Sequence, residues 1–319
     1  LALGSLNPVA ELFADPAVET IFHDADFDLR LLDRDFGVYV RGLFDTKIAA
    51  RFAGIRSFGL GSLLEDELGI KLKKKYQRAD WAKRPLPQEM LQYAAYDTKY
   101  LPRLRDHLRD RLVDMGRLAW AEEEFRIAEQ TGWEPGDDGP GYLQLKRTRD
   151  LGRRSLAALR EIYEWRESVA RERDLASFRV LNNDELVAVA REMPGSPAEL
   201  ESVGRLSRGN ARRWGSDLLA GVERARSLNE SELPERPERE RRPPRDPEVE
   251  QRVDRLKPVR DQAAKRLELD KGFLMPRSQL EDIARARPSS LEELAAVDGV
   301  RQWQVDALGQ GLIDALNET

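Results

Sequence analysis

The second half of the chain contains an internal repeat with a constant spacing of 94 residues. Beyond about residue 147 the apolar residues follow helical spacing, and each copy begins with a long helical pattern, at residues 156–172 and 251–267. A repeated helical pattern of this length predicts two copies of one small helical bundle. The matched positions are Leu186 and Leu280, Pro194 and Pro288, Val203 and Val297, and Leu218 and Leu312.

A stretch rich in proline, arginine and glutamate separates the two copies, from Pro234 to Pro247. Such a composition has too few apolar residues to form a core, so it predicts an extended or disordered linker. We therefore predict a first helical domain at residues 147–228, a linker at 229–247 and a second helical domain at 248–319.

The first part of the chain, residues 1–140, alternates short apolar segments with amphipathic helices, which is typical of an α/β domain. A short apolar segment at residues 20–22 runs into a helix, and Asp28 lies where the strand ends and the helix begins. Open α/β sheets build their sites at such places, so Asp28 is a candidate functional residue. The alternative interpretation of Asp28 is a helix N-cap.

A second candidate helix spans residues 91–101, with Tyr93 and Asp97 one turn apart on the same face. A carboxylate can bind a divalent cation, and a phenol beside it can orient a water molecule. The alternative is an amphipathic helix whose Asp97 simply faces solvent. The residues predicted to bury the opposite face are Leu91, Ala94, Ala95, Leu101 and Leu104.

Several motifs occur in a fixed order over residues 1–110, and together they resemble the ribonuclease D family of DEDD nucleases. The second and third exonuclease motifs are matched by Asp24-Ala-Asp-Phe-Asp28 and by Tyr93-x-x-x-Asp97, with Asp24 where many members carry Asn. The segments placed between them as in that family are Asp45-Thr46-Lys47 and Asp80-Trp81-x-x-Arg84-Pro85-Leu86. Each copy of the helical repeat resembles the HRDC module, which follows the nuclease domain in ribonuclease D.

This resemblance implies a ribonuclease H-like α/β exonuclease domain followed by two all-α HRDC bundles. It implies a 3′-5′ exoribonuclease that trims RNA, such as tRNA precursors, with two divalent metal ions, Mg²⁺ or Mn²⁺. Asp28 and Asp97 match two of the family's four acidic metal ligands, and Tyr93 matches the tyrosine that positions the attacking water. Asp28, Tyr93 and Asp97 are thus the predicted catalytic residues.

The composition agrees with oxygen-ligated metals, because the chain has no cysteine and only two histidines. Thiolate zinc sites and disulfides are excluded, and a Ser-His-Asp triad is disfavoured; hard oxygen ligands favour magnesium or manganese. Charged residues make up 35% of the chain and interrupt every apolar stretch, so no membrane span is predicted. We expect a cytoplasmic, monomeric protein with RNA as its partner.

The net charge of −5 does not indicate nucleic-acid binding, but its distribution is uneven. Residues 71–84 include seven basic residues and one acidic residue, Asp80, and the aromatic residues Tyr76 and Trp81 lie in the same segment. Clustered cations with aromatic residues suit a single-stranded backbone with stackable bases, although a solvated basic loop is the alternative. The predicted RNA-binding residues are Lys73, Lys74, Lys75, Arg78, Trp81 and Arg84. A weaker candidate in the first helical copy is the set Arg205, Arg208, Arg212 and Arg213.

The family's first motif, Asp-x-Glu on a strand of a three-stranded meander, has no match near Leu1. We therefore expect a nuclease domain without its N-terminal strands, a depleted sheet, and no hydrolysis by residues 1–319 alone, because two carboxylates neutralise only half the charge of two cations. Two alternatives stay open: a catalytically silent RNA-binding protein of the same fold, and an exonuclease that acts on DNA.

Overall fold

The computed structural model describes residues 6–72, 75–76, 79–134, 140–236 and 246–317. These residues form two compact units, one built from residues 1–134 together with 243–319, and the other from residues 135–242. The first unit therefore combines the predicted nuclease segment with the second helical repeat. No described helix is both long and apolar enough to pass through a lipid bilayer.

The nuclease segment alternates helices with two short strands. In chain order the elements are α1 Asn7–Ala14, β1 Thr20–Phe22, α2 Asp26–Phe36, β2 Leu43–Asp45, α3 Thr46–Phe52, α4 Leu60–Leu68, α5 Gln88–Lys99, α6 Leu101–Asp114 and α7 Leu118–Ala128. The strands β1 and β2 pair in parallel, with Thr20 opposite Leu43 and Phe22 opposite Asp45. Because they are parallel, their carboxyl ends meet at one edge, where α2 and α3 begin.

Helix α6 supplies the buried face of this segment, since Leu101, Leu104, Leu108 and Leu112 all lie in the core. The prediction for α5 was partly wrong: Leu91 is exposed, and the Ala94 and Ala95 positions are exposed as well. The physical reason is that α5 lies mainly against α6 and buries only Met90 fully. Leu101 and Leu104 are buried as predicted, but they belong to α6.

The second unit is a helical bundle around two antiparallel long helices, α8 and α12. A 3-10 turn at Gly141–Gln144 precedes α8 Arg153–Glu172, α9 Ser177–Val180, α10 Asn183–Glu192, α11 Pro197–Ser202 and α12 Arg208–Ser227. The Trp165 and Trp214 rings pack edge to face, with centroids 5.4 Å apart, between the long helices. A 3-10 turn at Glu230–Glu232 follows, and Leu233 closes the same core. Part of the predicted linker, residues 237–245, lies outside the described residues.

The second helical repeat has the same element order, with α13 Pro247–Leu267, α14 Lys271–Leu274, α15 Arg277–Ala286, α16 Leu291–Ala295 and α17 Gln302–Asn317. It shares one hydrophobic core with the nuclease segment. At the centre of the contact, the Phe52 ring lies 5.0 Å from the Trp303 ring and 4.9 Å from the Phe273 ring. The backbone N–H groups of Gln302 and Trp303 donate to Glu123, at 2.7 and 2.9 Å.

Candidate active site

The carboxylate of Asp45 organises the edge where the two strands end. It is 2% exposed, and it accepts four backbone hydrogen bonds. Its oxygens receive the N–H groups of Lys47 and Ile48, at 2.7 and 3.2 Å, which caps the start of α3. They also receive the N–H groups of Asp24 and Ala25, at 3.1 and 2.7 Å. One buried side chain therefore fixes the turn after β1 against the turn after β2.

Asp24 occupies a left-handed backbone conformation, with φ of +66°. Among residues other than glycine, aspartate and asparagine tolerate this region best. The exposed carboxylate of Asp24 pairs with the Lys47 ammonium at 2.6 Å. The turn that precedes α2 is thus held by two interactions: the hydrogen bonds to the buried Asp45 carboxylate and the ion pair between Asp24 and Lys47.

Asp28 lies in the first turn of α2 and its side chain is exposed. The N-cap alternative is wrong, because the N-cap residue is Ala25 and no side chain caps this helix. Partial burial raises the pKa of Asp28, and the nearby charges of Asp24 and Asp45 raise it further. The Asp28 carboxylate therefore lies near two other carboxylates, and a bound cation would reduce the electrostatic repulsion among them.

His23 has a structural role at this edge of the sheet. Its Nδ1 lies 2.9 Å from the Thr46 hydroxyl, which in turn donates to the carbonyl of Phe22 at 3.0 Å. Burial lowers the pKa of His23, so the imidazole is neutral near pH 7. The contact ties the end of β1 to the first turn of α3.

Tyr93 and Asp97 both lie half-buried on α5, as their spacing predicted. The Tyr93 ring packs against two aromatic residues of the basic segment, with centroids 6.1 Å from Tyr76 and 5.9 Å from Trp81. Partial burial raises the pKa of Asp97. The neighbouring phenols of Tyr96 and Tyr100 pack on each other, with centroids 5.9 Å apart. The helix thus presents a carboxylate beside a small aromatic surface.

The basic segment is only partly described: Lys73, Lys74 and Arg78 lie outside the described residues. Lys75 pairs with Glu89 at 3.2 Å, and its ammonium lies 5.0 Å from the centre of the Tyr76 ring. The Trp81 indole donates to the carbonyl of Tyr76 at 3.2 Å.

Arg84 donates to two backbone carbonyls of its own loop, those of Trp81 at 3.0 Å and Lys83 at 2.7 Å. Of the predicted RNA-binding residues that the structure describes, Trp81 contacts the candidate catalytic helix through Tyr93 and Lys75 contacts it through Glu89.

The structure brings Asp28 together with Asp24 and Asp45, and Tyr93 together with Trp81. Within the described ranges no hydrogen bond or ion pair joins Asp28 to Asp97, and no group of three or more histidine or acidic residues is placed to hold a metal. The donor chemistry fits a hard cation such as Mg²⁺ or Mn²⁺, because Asp28 and Asp97 offer carboxylate oxygens. A four-carboxylate centre is not assembled among the described residues.

Comparison with known proteins agrees with the order of these segments. A family model described as 3′-5′ exonuclease matches residues 1–113, and the HRDC domain matches twice, at residues 155–222 and 249–316. The predicted α/β exonuclease domain followed by helical HRDC bundles is therefore confirmed, whereas the domain boundaries stay a prediction.

Ribonuclease D from Granulibacter bethesdensis is 35% identical over 231 residues, which are 72% of this chain and 58% of that protein. Ribonuclease D from Pseudomonas paraeruginosa is 31% identical over 97% of this chain and 81% of that protein. The crystal structure of Escherichia coli RNase D, described as an exoribonuclease involved in structured RNA processing, superposes with a TM-score of 0.63 and 29% identity, covering 97% of this chain and 82% of that one.

The chain thus spans less than two thirds of the length of the Granulibacter protein. The match to the Pseudomonas protein extends over most of both chains and includes the nuclease segment and both helical repeats. The ordered motifs, the repeated helical module and these similarities together show that the chain belongs to the ribonuclease D family.

Proposed function

We propose that this protein is a 3′-5′ exoribonuclease that hydrolyses phosphodiester bonds at RNA 3′ ends. The observation that carries the proposal is the position of Asp28 at the edge where two parallel strands end. The hydrogen bonds from the Ala25 and Lys47 N–H groups to the Asp45 carboxylate fix that edge. Asp97 and Tyr93 on α5 supply a second carboxylate and a phenol. The family membership supports this choice of chemistry over other uses of exposed carboxylates.

In this proposal Asp28 and Asp97 are ligands of two divalent cations, Mg²⁺ or Mn²⁺. Such ions, when bound, lower the pKa of a water nucleophile and neutralise charge on the leaving oxygen. Tyr93 orients the attacking water through its hydroxyl. Asp45 touches neither water nor substrate and acts as a positioning residue for the turn that carries Asp28.

The substrate in this proposal is structured RNA with a single-stranded 3′ end, such as a tRNA precursor. The basic segment at residues 71–84 guides that end, and Trp81 and Tyr76 offer rings for base stacking beside Tyr93. Phosphate contacts come from cations of the same segment. The absence of cysteine fits the reducing cytoplasm, where we place the protein as a monomer.

The decisive experiment compares Asp28→Asn and Asp97→Asn with Asp26→Asn in the natural full-length gene product. Asp26 is a matched control, because it lies on the same helical turn as Asp28 and, among the described residues, its side chain pairs with Arg30 alone, at 3.0 Å. Release of nucleotides from a 3′-labelled single-stranded RNA in Mg²⁺ should fall about 100-fold or more for the first two variants. Full activity of both, with unchanged folding, would contradict the proposal.

A catalytically silent RNA-binding protein is the second candidate, favoured by the lack of a three-ligand metal group among the described residues. The same assay separates the two candidates. RNA binding without nucleotide release at any Mg²⁺ or Mn²⁺ concentration would select the silent protein. A parallel assay with single-stranded DNA of the same sequence tests the remaining alternative, a DNA-acting exonuclease.

A further inference from the structure

Helix α3 joins the candidate catalytic edge to the second helical repeat. At its start the Lys47 ammonium pairs with Asp24 at 2.6 Å, and at its end Phe52 lies in the core shared with the second repeat. Arg51 lies one helical turn after Lys47, and therefore on the same face of the helix. The ring centre of Phe58 lies 5.7 Å from both the Lys47 ammonium and the Arg51 guanidinium, which agrees with this common face.

Two aromatic rings hold the Arg51 side chain. Its guanidinium carbon Cζ lies 3.9 Å from the centre of the Phe273 ring, which the second repeat supplies, and 5.7 Å from the centre of the Phe58 ring. Both distances fall within the range of cation–π attraction. A guanidinium that stacks on a ring keeps its N–H donors in its own plane, where they can still form hydrogen bonds. The side chain is therefore held in place with its donors open.

Within the part of the chain that the structure describes, the Arg51 guanidinium forms no hydrogen bond and no ion pair. Burial lowers the pKa of Arg51, so its charge has lost hydration without gaining a partner. The other described arginines of the nuclease segment that are buried or half-buried all donate hydrogen bonds, and they are Arg30, Arg105, Arg109, Arg111 and Arg117. Arg51 therefore differs from them in having an unused charge.

The carboxylates near Arg51 are engaged with other groups. Those close enough to act on its charge are Asp270, Glu124 and Asp24. Asp270 caps the start of α14, and Glu124 accepts the indole N–H of the second repeat's docked tryptophan at 2.8 Å. Asp24 pairs with Lys47. The donors of Arg51 thus remain available to an anion that the protein itself does not supply.

The geometry favours a phosphate as that anion. The planar guanidinium matches the oxygens of a phosphate through two parallel hydrogen bonds, and a stacked guanidinium is already oriented for them. Arg51 also lies on the same face of α3 as Lys47, whose partner Asp24 belongs to the turn before the helix of Asp28. An RNA strand that ends at Asp28 carries a series of phosphates past this face. The alternative, a cation that only packs on Phe273, gives the open donors no role.

We propose that Arg51 binds a phosphodiester group of the RNA strand whose 3′ end lies at Asp28, and that Phe273 completes this phosphate subsite. The inference rests on the proposed function for its choice of RNA. Arg51 is a substrate-binding residue in this proposal, and it takes no part in proton transfer or metal binding. The second repeat contributes through the ring that holds Arg51, without contacting RNA at this subsite.

The test measures binding of a single-stranded oligouridylate by the natural full-length gene product in EDTA, over a series of salt concentrations. Arg51→Met keeps an apolar stem on the Phe273 ring but removes the guanidinium. The magnitude of the log–log salt slope should fall by about 0.7, the contribution of one single-strand phosphate contact. The affinity at about 0.15 M salt should fall about tenfold.

Arg34→Gln is the matched control for the loss of a stacked arginine. Arg34 lies 5.0 Å from the ring centre of Trp133, but its guanidinium already pairs with Asp35 at 2.7 Å. The salt slope should stay unchanged, and the affinity should change by less than about twofold. Unchanged slope and affinity in Arg51→Met would show that Arg51 only packs on Phe273, and would overturn the proposal.

Phe273→Leu tests whether the second repeat completes the subsite. It should weaken oligouridylate binding about threefold and keep the salt slope, because the guanidinium retains its charge but loses the ring that orders it. Thermal melting followed by circular dichroism monitors the fold of this variant. An unchanged affinity in the folded variant would overturn the role assigned to Phe273.

Uridine 5′-monophosphate distinguishes the RNA backbone from a free nucleotide as the source of the phosphate. It should compete poorly, and equally so with the unchanged protein and with Arg51→Met. Binding of the mononucleotide that depends on Arg51 would overturn the assignment to the RNA backbone. Because EDTA removes hydrolysis from these measurements, nucleotide release by Asp28→Asn tests the proposed function separately.

Discussion

The two helical repeats have the same fold but differ at the positions that, in the second repeat, pack on the nuclease segment. Both keep a buried arginine on the first long helix: Arg166 donates to the carbonyl of Leu181 at 3.1 Å, and Arg260 to that of Met275 at 3.4 Å. These pairs are 94 residues apart, as are the cores around them. The conserved interactions lie inside the bundle, where packing and hydrogen bonding determine the fold.

A second internal position shows how the same site can be satisfied in two ways. In the first repeat Glu185 accepts from the Asn210 side chain at 3.0 Å, whereas in the second Gln279 and Gln304 exchange amide hydrogen bonds at 2.8 and 3.1 Å. Each buried polar group finds a partner, so the bundle tolerates either chemistry. Outside the bundle the two repeats differ more: Phe273 and Trp303 of the second repeat pack on Phe52, whereas the equivalent positions of the first repeat carry Arg179 and Gly209.

The largest effect is expected at the docking surface of the second repeat. Trp303 is 2% exposed, lies 5.8 Å from the Trp120 ring and donates its indole N–H to Glu124 at 2.8 Å. Trp303→Ala should lower the free energy of unfolding by about 3–5 kcal/mol, through the cavity and the loss of the hydrogen bond. Urea denaturation followed by circular dichroism measures it. Phe178→Ala, at the exposed aromatic position of the first repeat, is the control and should change stability by less than about 0.5 kcal/mol.

Exchange of the internal polar groups should have the next largest effect. Gln279→Glu places a carboxylate beside the carbonyl of Gly299, which now receives the Gln279 amide at 2.6 Å. The loss of that donor and the burial of a charge should cost about 2–4 kcal/mol at pH 7. The thermal midpoint of the variant should rise as the pH is lowered, because protonation removes the charge. No change in stability at pH 7 would show that water reaches this site.

The reciprocal change, Glu185→Gln, should cost less, about 1–3 kcal/mol. The replacement keeps one carbonyl oxygen but turns an amide group towards the donors of Asn182, Ser207 and Asn210. The same denaturation experiment measures it. A smaller loss for Gln279→Glu than for Glu185→Gln would contradict our description of the two networks.

The smallest predicted effect tests whether Gly209 is required by the fold of the first repeat. A Cβ added at Gly209 would meet no atom within 4 Å, and the residue lies in the first turn of α12. Gly209→Ala should therefore stabilise the unit by up to about 1 kcal/mol, since alanine has the higher helix propensity. Destabilisation would mean that the surroundings of Gly209 are more crowded than the structure indicates.

Local sequence patterns were sufficient to identify the repeat, the helical character of the second half of the chain and the order of the nuclease motifs. Each repeat packs mainly on its own helices, so its apolar spacing can be recognised in the sequence. The constant offset of 94 residues then identified the helices of Leu186 and Leu280 as equivalent. The spacing of Tyr93 and Asp97 placed both on α5, because helical periodicity is a local property.

Other features depended on contacts between residues far apart in the chain. The sequence marked Asp45 as part of a motif, but only the folded chain gives it the N–H groups of Asp24 and Ala25, about twenty residues away. Local pattern suggested burial of Ala94 and Ala95, yet the position of α6 left them exposed.

The docking of Trp303 on Phe52 also joins segments about 250 residues apart, and no local pattern encodes such a contact. The aromatic residues at 273 and 303, set against arginine and glycine at the equivalent positions of the first repeat, were the available signal in the sequence. That difference acquires a meaning only from the tertiary structure, because the face a helix presents to a distant segment is decided by packing and not by periodicity.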